Sequence, residues 1–393
     1  MDLNDTPQEA AFRARLRDWL EDNLAPNWRR EFETLALDQR VHYLRQWQTR
    51  LHAGGWSAVA WPREYGGQGA SVVEQLIAFE EFALADAPPD IFRIGTRIIG
   101  PMLIQLGRPE QKARFLPPMV SGEHLWCQGF SEPGAGSDLA ALTTRAARDG
   151  AGFRISGQKV WNTFGHWADY CLLLVRTDPA LPKHKGLTAF VVEMRTPGIQ
   201  VRPLVQINGE QDFNELFFDE VHVREEAIVG RLNGGWEVAV TMLGHERRGI
   251  AVIGFACRQL YGRLLHLARE VRLGGRGIAA IDDARVRSRL ARFGVQVRLI
   301  TLNNFRFAER IRHGGVPGPE GSIQKLQATE LSKQMYAFAY ELATAGDLTQ
   351  HGTAERLANW GRDYLSAFGM TIAGGTSQIQ RNIIGERALG LPK

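Results

Sequence analysis

Glu132-Pro133-Gly134-Ala135-Gly136-Ser137-Asp138 and, further on, Gly157-Gln158-Lys159-Val160-Trp161-Asn162-Thr163 belong to one stretch, Leu125 to Thr163, on which the reading of this chain turns. Pro133 fixes one φ, and Gly134 and Gly136 remove Cβ where the backbone is expected to pass tightly beside a ligand. Ser131 and Ser137 bracket the turn with hydroxyls, and successive amides in such a turn can form an anion-binding nest. The second segment follows an Asp149-Gly150 hairpin signal and predicts a strand in which Trp161 and Thr163 share a face. A large flat ring beside a hydroxyl suits a planar heteroaromatic cofactor. The same residues also fit a glycine-rich surface turn followed by an ordinary strand whose Trp is core, and short motifs misfire often.

The rest of the chain bounds the choice. With 393 residues it can bury a large core in two or three domains. Forty-seven basic residues are offset by 43 acidic ones with no long basic block, which argues against nucleic-acid binding. Cys127, Cys171 and Cys257 are far apart and unpatterned, which argues for a reducing compartment and against a disulfide framework or a metal site. Asp2, Asp5 and Glu9 precede any apolar run, and no run reaches spanning length, so no signal peptide, leader or membrane span is expected and the chain is placed in the cytoplasm.

Residues 1–124 read as a helical domain. Thr6-Pro7-Gln8-Glu9 is a capping box with proline at the first helical position, and Phe12, Leu16, Trp19 and Leu20 follow at helical spacing. Gly54-Gly55 ends a second helix, Ser71 caps another, Gly107 closes one and Pro109 begins the next. Residues 125–232 change character: Asp169 to Val175, Leu187 to Met194 and Gln200 to Pro203 are short Val/Leu/Phe/Tyr-rich runs between turn signals, which predicts a small antiparallel β barrel or sandwich. Residues 233–393 are helical again, with long amphipathic segments at about 235–272, 283–313, 320–346 and 352–369, which suggests a four-helix bundle. The expected class is α+β and multidomain.

In the first of these segments Trp236, Ala239, Val240, Leu243, Ile250 and Ile253 trace an apolar stripe, and Glu246 and Arg247 fall on it. A charged pair on the buried side of a helix needs a reason, and a structural ion pair and a catalytic pair both supply one.

The Leu125–Thr163 segments resemble the flavin-binding signature of the acyl-CoA dehydrogenase family, and the pattern continues in register. Phe213-Asn214-Glu215-Leu216-Phe217-Phe218-Asp219, Gly234-Gly235-Trp236 and Gly374-Gly375-Thr376-Ser377-Gln378-Ile379-Gln380-Arg381-Asn382-Ile383-Ile384 all match, so the resemblance covers nearly the whole chain. It implies the same helix, β, helix order. It implies FAD as cofactor, with Gln128, Phe130 and Ser131 on one side of the flavin ring and Trp161 and Thr163 on the other. Gly136 belongs to the same turn, Ser137 lies between flavin and substrate, and Thr376, Ser377 and Gln378 fall where the family reaches FAD phosphates or ribose. Read from the residues alone, Ser377 and Gln378 serve as a helix cap.

The family removes the α-proton of an acyl thioester with a carboxylate, and many members carry it directly before the Gly-Thr of the C-terminal motif. Here that position is Gly374. Members of the isovaleryl and long-chain types place the base in the Glu-Arg of the mid-chain helix, which Glu246-Arg247 resembles, as do bacterial enzymes for branched or steroid side-chain thioesters. The resemblance therefore implies Glu246 as base, Arg247 as its orienting or substrate-binding partner, and the Gly374 amide as a donor to the thioester carbonyl, with Ser137 and Gly375 beside substrate. Two departures stand out. The region Arg269-Glu270-Val271-Arg272-Leu273-Gly274-Gly275 lacks the family's phenylalanine, and the segment near Asn359-Trp360-Gly361-Arg362 lacks its double glycine. Both motifs hold the FAD of a neighbouring subunit. The implied activity is FAD-dependent α,β-dehydrogenation of an acyl-CoA with a branched or bulky acyl group, in fatty acid or steroid side-chain β-oxidation, with an electron-transfer flavoprotein as acceptor. An acyl-CoA oxidase and a flavin-bearing non-catalytic subunit are the alternatives. A homotetramer, or a heterotetramer with a related subunit, is the implied assembly.

Overall fold

The computed structural model describes residues 4–248, 251–273, 277–313, 318–345 and 353–392. Six helices come first: α1 (Pro7–Asn23), α2 (Trp28–Thr34), α3 (Leu37–Ala53), α4 (Val72–Leu84), α5 (Gly100–Leu106) and α6 (Pro109–Ser121). The start of α1 is held by the expected reciprocal cap, with Glu9 N–H donating to Thr6 Oγ1 at 3.3 Å and Thr6 N–H to Glu9 Oε2 at 2.8 Å. Phe12, Leu16 and Leu20 then present one buried stripe to Trp47 and Leu51 of α3 and to Ile77 and Ala78 of α4. Ser71 caps α4 in the same reciprocal way. Between α4 and α5 the chain winds into a π-helical turn, Ile94–Ile99, that feeds directly into α5.

The middle of the chain is one sheet of eight strands: β1 (Trp126–Gly129), β2 (Arg145–Asp149), β3 (Gly152–Lys159), β4 (Tyr170–Arg176), β5 (Leu187–Glu193), β6 (Ile199–Leu204), β7 (Phe213–Arg224) and β8 (Ile228–Val229). Its order is β6-β7-β3-β2-β4-β5-β8, with β1 added beside β4. This corrects the expected antiparallel barrel. The end strands β6 and β8 do not pair, so the sheet is open. β1 runs parallel to β4, and β2 meets β4 through a parallel bridge.

β4 explains why the strands read as nearly continuous apolar runs. Leu172 and Leu174 face the N-terminal helices, while Cys171, Leu173 and Val175 face a second core between the strands. Cys127 and Cys171, distant in sequence, are opposite one another in the β1–β4 register, and both are buried.

The C-terminal helices are α7 (Gly235–Arg248), α8 (Ala251–Glu270), α9 (Ala284–Arg312), α10 (Glu320–Ala345), α11 (Thr353–Met370) and α12 (Ser377–Ile383). The first expected segment is thus two helices. α8 to α11 enclose the bundle core, with Leu264, Leu290, Phe293, Met335 and Phe338 among its members. α7 stands apart from that core and packs on β4 and β5, on α5 and the π-helical turn, and on α10. Its buried stripe is Val238, Ala239 and Met242, whereas Val240 is 45% exposed, so the stripe is rotated from the one expected. No helix among the described residues is long and apolar enough to cross a membrane.

Candidate active site

β1 delivers Gln128 and leads into Phe130 and Ser131, and the chain then doubles back. Glu132 N–H donates to Ala135 O and Ala135 N–H to Glu132 O, both at 3.0 Å, which closes the Pro133-Gly134 turn. The reason expected for the glycines is overturned. Gly134 and Gly136 are not in the left-handed region, and a Cβ built on either would meet nothing within 4 Å. The chain does not crowd this turn; open space lies beside it.

The turn is fastened from beneath. Lys159 Nζ, fully buried at the end of β3, donates to Glu132 Oε1 at 2.8 Å and to Phe130 O at 3.0 Å. Glu132 also accepts from Thr143 N–H at 2.7 Å, Thr143 Oγ1 at 2.9 Å and Thr144 N–H at 2.9 Å. Burial pushes the Glu132 carboxyl up, but the Lys159 charge and these hydrogen bonds outweigh it and hold the carboxyl at about 2. Burial dominates for Lys159 and brings it down to about 8 despite the carboxylate beside it.

Val160 to Thr163 form the facing wall. The expected strand stops at Lys159, and Trp161 adopts φ 63°, a left-handed conformation that is rare for a bulky side chain. Its neighbours impose this. Val160 N–H donates to Ser131 O at 2.9 Å, Asn162 N–H to Asn214 O at 3.1 Å, Asn162 Nδ2 to Gln128 O at 2.7 Å and Asn214 Nδ2 back to Asn162 O at 2.9 Å. Phe164 N–H donates to Asp212 O at 2.7 Å. Trp161 is thereby turned outward, 61% exposed, with only the Phe213 ring edge-on to it at 5.9 Å. Thr163 is half-buried, Gln128 and Ser131 are half-buried, Phe130 is buried and Ser137 is exposed.

The residues fit a flat polar cofactor. A rigidly braced, outward-facing indole and a glycine turn with open space beside it leave a slot, and the buried Asn162 Oδ1 has no hydrogen-bond donor. Asn162, Asn214, Glu132 and Lys159 were not foreseen as site residues. The available signal was Lys159 itself, which follows Phe153 and Ile155 at strand period on an inward-facing register.

The second half of the site surrounds α12. Thr376, not Ser377, caps it, with Ile379 N–H donating to Thr376 Oγ1 at 3.2 Å. Ser377 is buried and its hydroxyl donates to Glu330 Oε1 at 2.6 Å, while Gln378 is exposed. Gly374 and Gly375 lie in the left-handed region at φ 66° and 93°. Gln380 Nε2 donates to Gly374 O at 2.9 Å and to Gly375 O at 3.2 Å, and the buried Lys325 of α10 donates to Gly375 O at 2.9 Å. Among the described residues no hydrogen bond or ion pair joins this loop to the Gln128–Thr163 slot; α7 is the element that packs against both the sheet and α10. The side chains of Glu246 and Arg247, near the end of α7, lie outside the described residues. His245, just before them, lines a cavity of about 550 Å³ between α7 and the N-terminal helices.

The N-terminal, middle and C-terminal domain models of the acyl-CoA dehydrogenase family match residues 6–123, 127–221 and 233–389. The acyl-CoA dehydrogenase IpdE1 of Mycobacterium tuberculosis is 37% identical to this chain over 97% of each. FadE34 of the same organism is 39% identical over 88% of this chain and 46% of its own length. Two solved structures align over the full length of both chains. The Tcur3481-Tcur3483 steroid ACAD does so with a TM-score of 0.85 at 30% identity, and the ChsE4-ChsE5 complex from Mycobacterium tuberculosis with 0.83 at 31%.

Proposed function

This chain belongs to the acyl-CoA dehydrogenase family of flavoprotein oxidoreductases, and from that premise we propose that it catalyses FAD-dependent α,β-dehydrogenation of an acyl-CoA thioester with a branched or bulky acyl group. The observation that carries the reading is the slot between the open Glu132–Gly136 turn and the outward-facing Trp161, braced by a buried ion pair. In this reading Phe130, Ser131, Gly136, Trp161 and Thr163 embrace the flavin ring, Gln128 supports it through Asn162, and Ser137 separates it from substrate. Thr376 and Gln378 face the phosphates or ribose, and Ser377 anchors their turn to α10. Bound FAD supplies the acceptor for the β-hydrogen, which leaves as hydride.

Glu246 takes the α-proton. Position 246 follows Met242 by one helical turn and so continues the buried stripe of the helix that spans both halves of the site. Arg247 orients it or the substrate, and Gly375 lines the substrate's reacting end. The Gly374 N–H polarises the thioester carbonyl, which is what makes the α-proton acidic enough to remove. An electron-transfer flavoprotein then accepts the electrons in the cytoplasm.

The assembly we favour is a tetramer. A heterotetramer with a related subunit is supported by the two-component names of the similar solved structures and by the two motif departures at Arg269–Gly275 and Asn359–Arg362. Gly374 gives one specific reason for a second reading, a flavin-bearing subunit that is silent without its partner.

The test is the visible spectrum of the purified protein under anaerobic conditions, before and after straight, α-methyl and steroid side-chain acyl-CoAs. Bleaching by one class supports dehydrogenation and names the acyl shape. A yellow protein that bleaches only with a partner chain present supports the second reading, and hydrogen peroxide release in air marks an oxidase. A protein that takes up no FAD overturns both.

A further inference from the structure

The cavity beside His245 is walled by Trp56, Trp61, Phe79, Phe82 and Phe307, and it carries one full charge among its described walls outside His245: Arg97, on the π-helical turn. Its polar neighbours are already engaged. Thr96 Oγ1 donates to Phe92 O at 3.1 Å, Thr96 O accepts from Trp61 Nε1 at 2.7 Å, and Gln75 Nε2 donates to Ala70 O at 2.9 Å. Arg97 is different. Its guanidinium lies over the Phe79 ring at 4.8 Å and pairs with Asp90 through one nitrogen, 2.6 Å from Oδ2. Asp90 Oδ1 is buried without a hydrogen-bond partner, so the pair is not a two-pronged one. Among the described residues Asp90 is the guanidinium's only anion, which leaves several N–H groups at the cavity wall without a protein acceptor.

We infer that the cavity takes an acyl group whose far end carries a neutral carbonyl oxygen, and that Arg97 donates to that oxygen. This rests on the acyl-CoA dehydrogenase reading above and adds to it the chemistry of the acyl tail. The volume of about 550 Å³ and the aromatic walls suit a ring system better than a linear chain. The charge balance selects the oxygen. Asp90 already neutralises Arg97, so a carboxylate would be drawn to the arginine and repelled by the aspartate, whereas a ketone takes the spare donors at little electrostatic cost. A tail with no oxygen leaves those donors dry and unpaired, and discrimination of that kind is strong.

The experiment uses the FAD-loaded protein and three thioesters: 3-cyclohexylpropanoyl-CoA, its 4-oxo analogue and its 4-carboxy analogue. Binding is measured by anaerobic calorimetry alongside flavin bleaching. The wild type binds the 4-oxo thioester about tenfold tighter than the plain one, and Arg97→Met brings that ratio to about one. Arg97→Lys keeps part of it and provides the comparison if the methionine variant does not fold. A ratio that survives in Arg97→Met overturns the inference and assigns Arg97 to the coenzyme A moiety or to packing. A 4-carboxy thioester that binds tightest overturns the neutral assignment. Binding ratios as expected with no bleaching by any of the three leave the cavity chemistry standing and remove the dehydrogenation itself.

Discussion

Lys159 Nζ stands 2.8 Å from Glu132 Oε1 in a pocket where neither side chain is more than 4% exposed. The pair joins the end of β3 to the turn after β1, the two pieces that form the slot. Removing one member leaves a buried charge alone, a change that costs about 3–5 kcal/mol. Lys159→Met is therefore expected to lower stability by about that much and to release flavin, and Glu132→Gln combined with it to recover part of the loss. Chemical denaturation of both variants checks this, and a Lys159→Met protein as stable as the wild type would refute it.

The same pair sets an acid limit. The Glu132 carboxyl is held at about 2, below its ordinary 4.5, so the fold gains from its ionised form. That gain is complete above pH 4.5 and is lost as pH falls toward 2, about 3 kcal/mol in all. The Lys159 ammonium, brought down to about 8, works in the other direction: its charged form costs stability below that pH, and the cost is relieved as pH rises toward 10.5. Stability measured at pH 3 and pH 7 should differ less in Glu132→Gln than in the wild type. Equal differences would place the acid sensitivity elsewhere.

Trp161 offers the opposite case. Its ring packs on little besides Phe213, so Trp161→Ala should change protein stability by less than about 0.5 kcal/mol while flavin dissociates faster. Gly136→Val, which adds a side chain to open space, should likewise fold normally and lose flavin. Flavin content after gel filtration, read against the melting temperature of the apoprotein, separates the two effects.

Lys325 and Gln380 hold the Gly374-Gly375 loop by its carbonyls. Lys325→Met should lower kcat about tenfold with KM and flavin content nearly unchanged, because it loosens the amide proposed to polarise the thioester. Gly375→Ala should instead cost about 2 kcal/mol of stability, since its φ is 93° and a Cβ would come within 2.7 Å of Gln380 Nε2. A fall in flavin content with Lys325→Met would show that the lysine serves the cofactor site.

Glu246→Gln should abolish bleaching of the flavin by substrate while the flavin stays bound. Fast bleaching by this variant would return the search for the base to its beginning.

Much of this architecture was legible because caps and apolar spacing are local. Thr6-Glu9 and Ser71 announced their helices, and the strand runs from Asp169 to Met194 fell where β4 and β5 lie. Pairing direction was not legible, since β1 beside β4 depends on contacts between distant segments that leave no periodic trace. Nor was the outward turn of Trp161. Alternation assigned it a strand face, whereas hydrogen bonds from Ser131, Gln128 and Asn214, all remote in sequence, fix the backbone on either side of it. The glycine turn was found for an incomplete reason: tight chain passage was expected, and open space was found.

The π-helical turn at Ile94–Ile99 holds one more residue per turn than ordinary α-helical winding would. Deleting a single residue there would restore that winding and rotate everything downstream in α5 by roughly 100° about its axis. Pro101, Ile104 and Gln105, which now line the cavity, would be carried away from it, and other faces of the helix would take their place. Insertion and deletion at this one turn are thus a route by which related chains can exchange an entire cavity wall in one step, where substitution would need several.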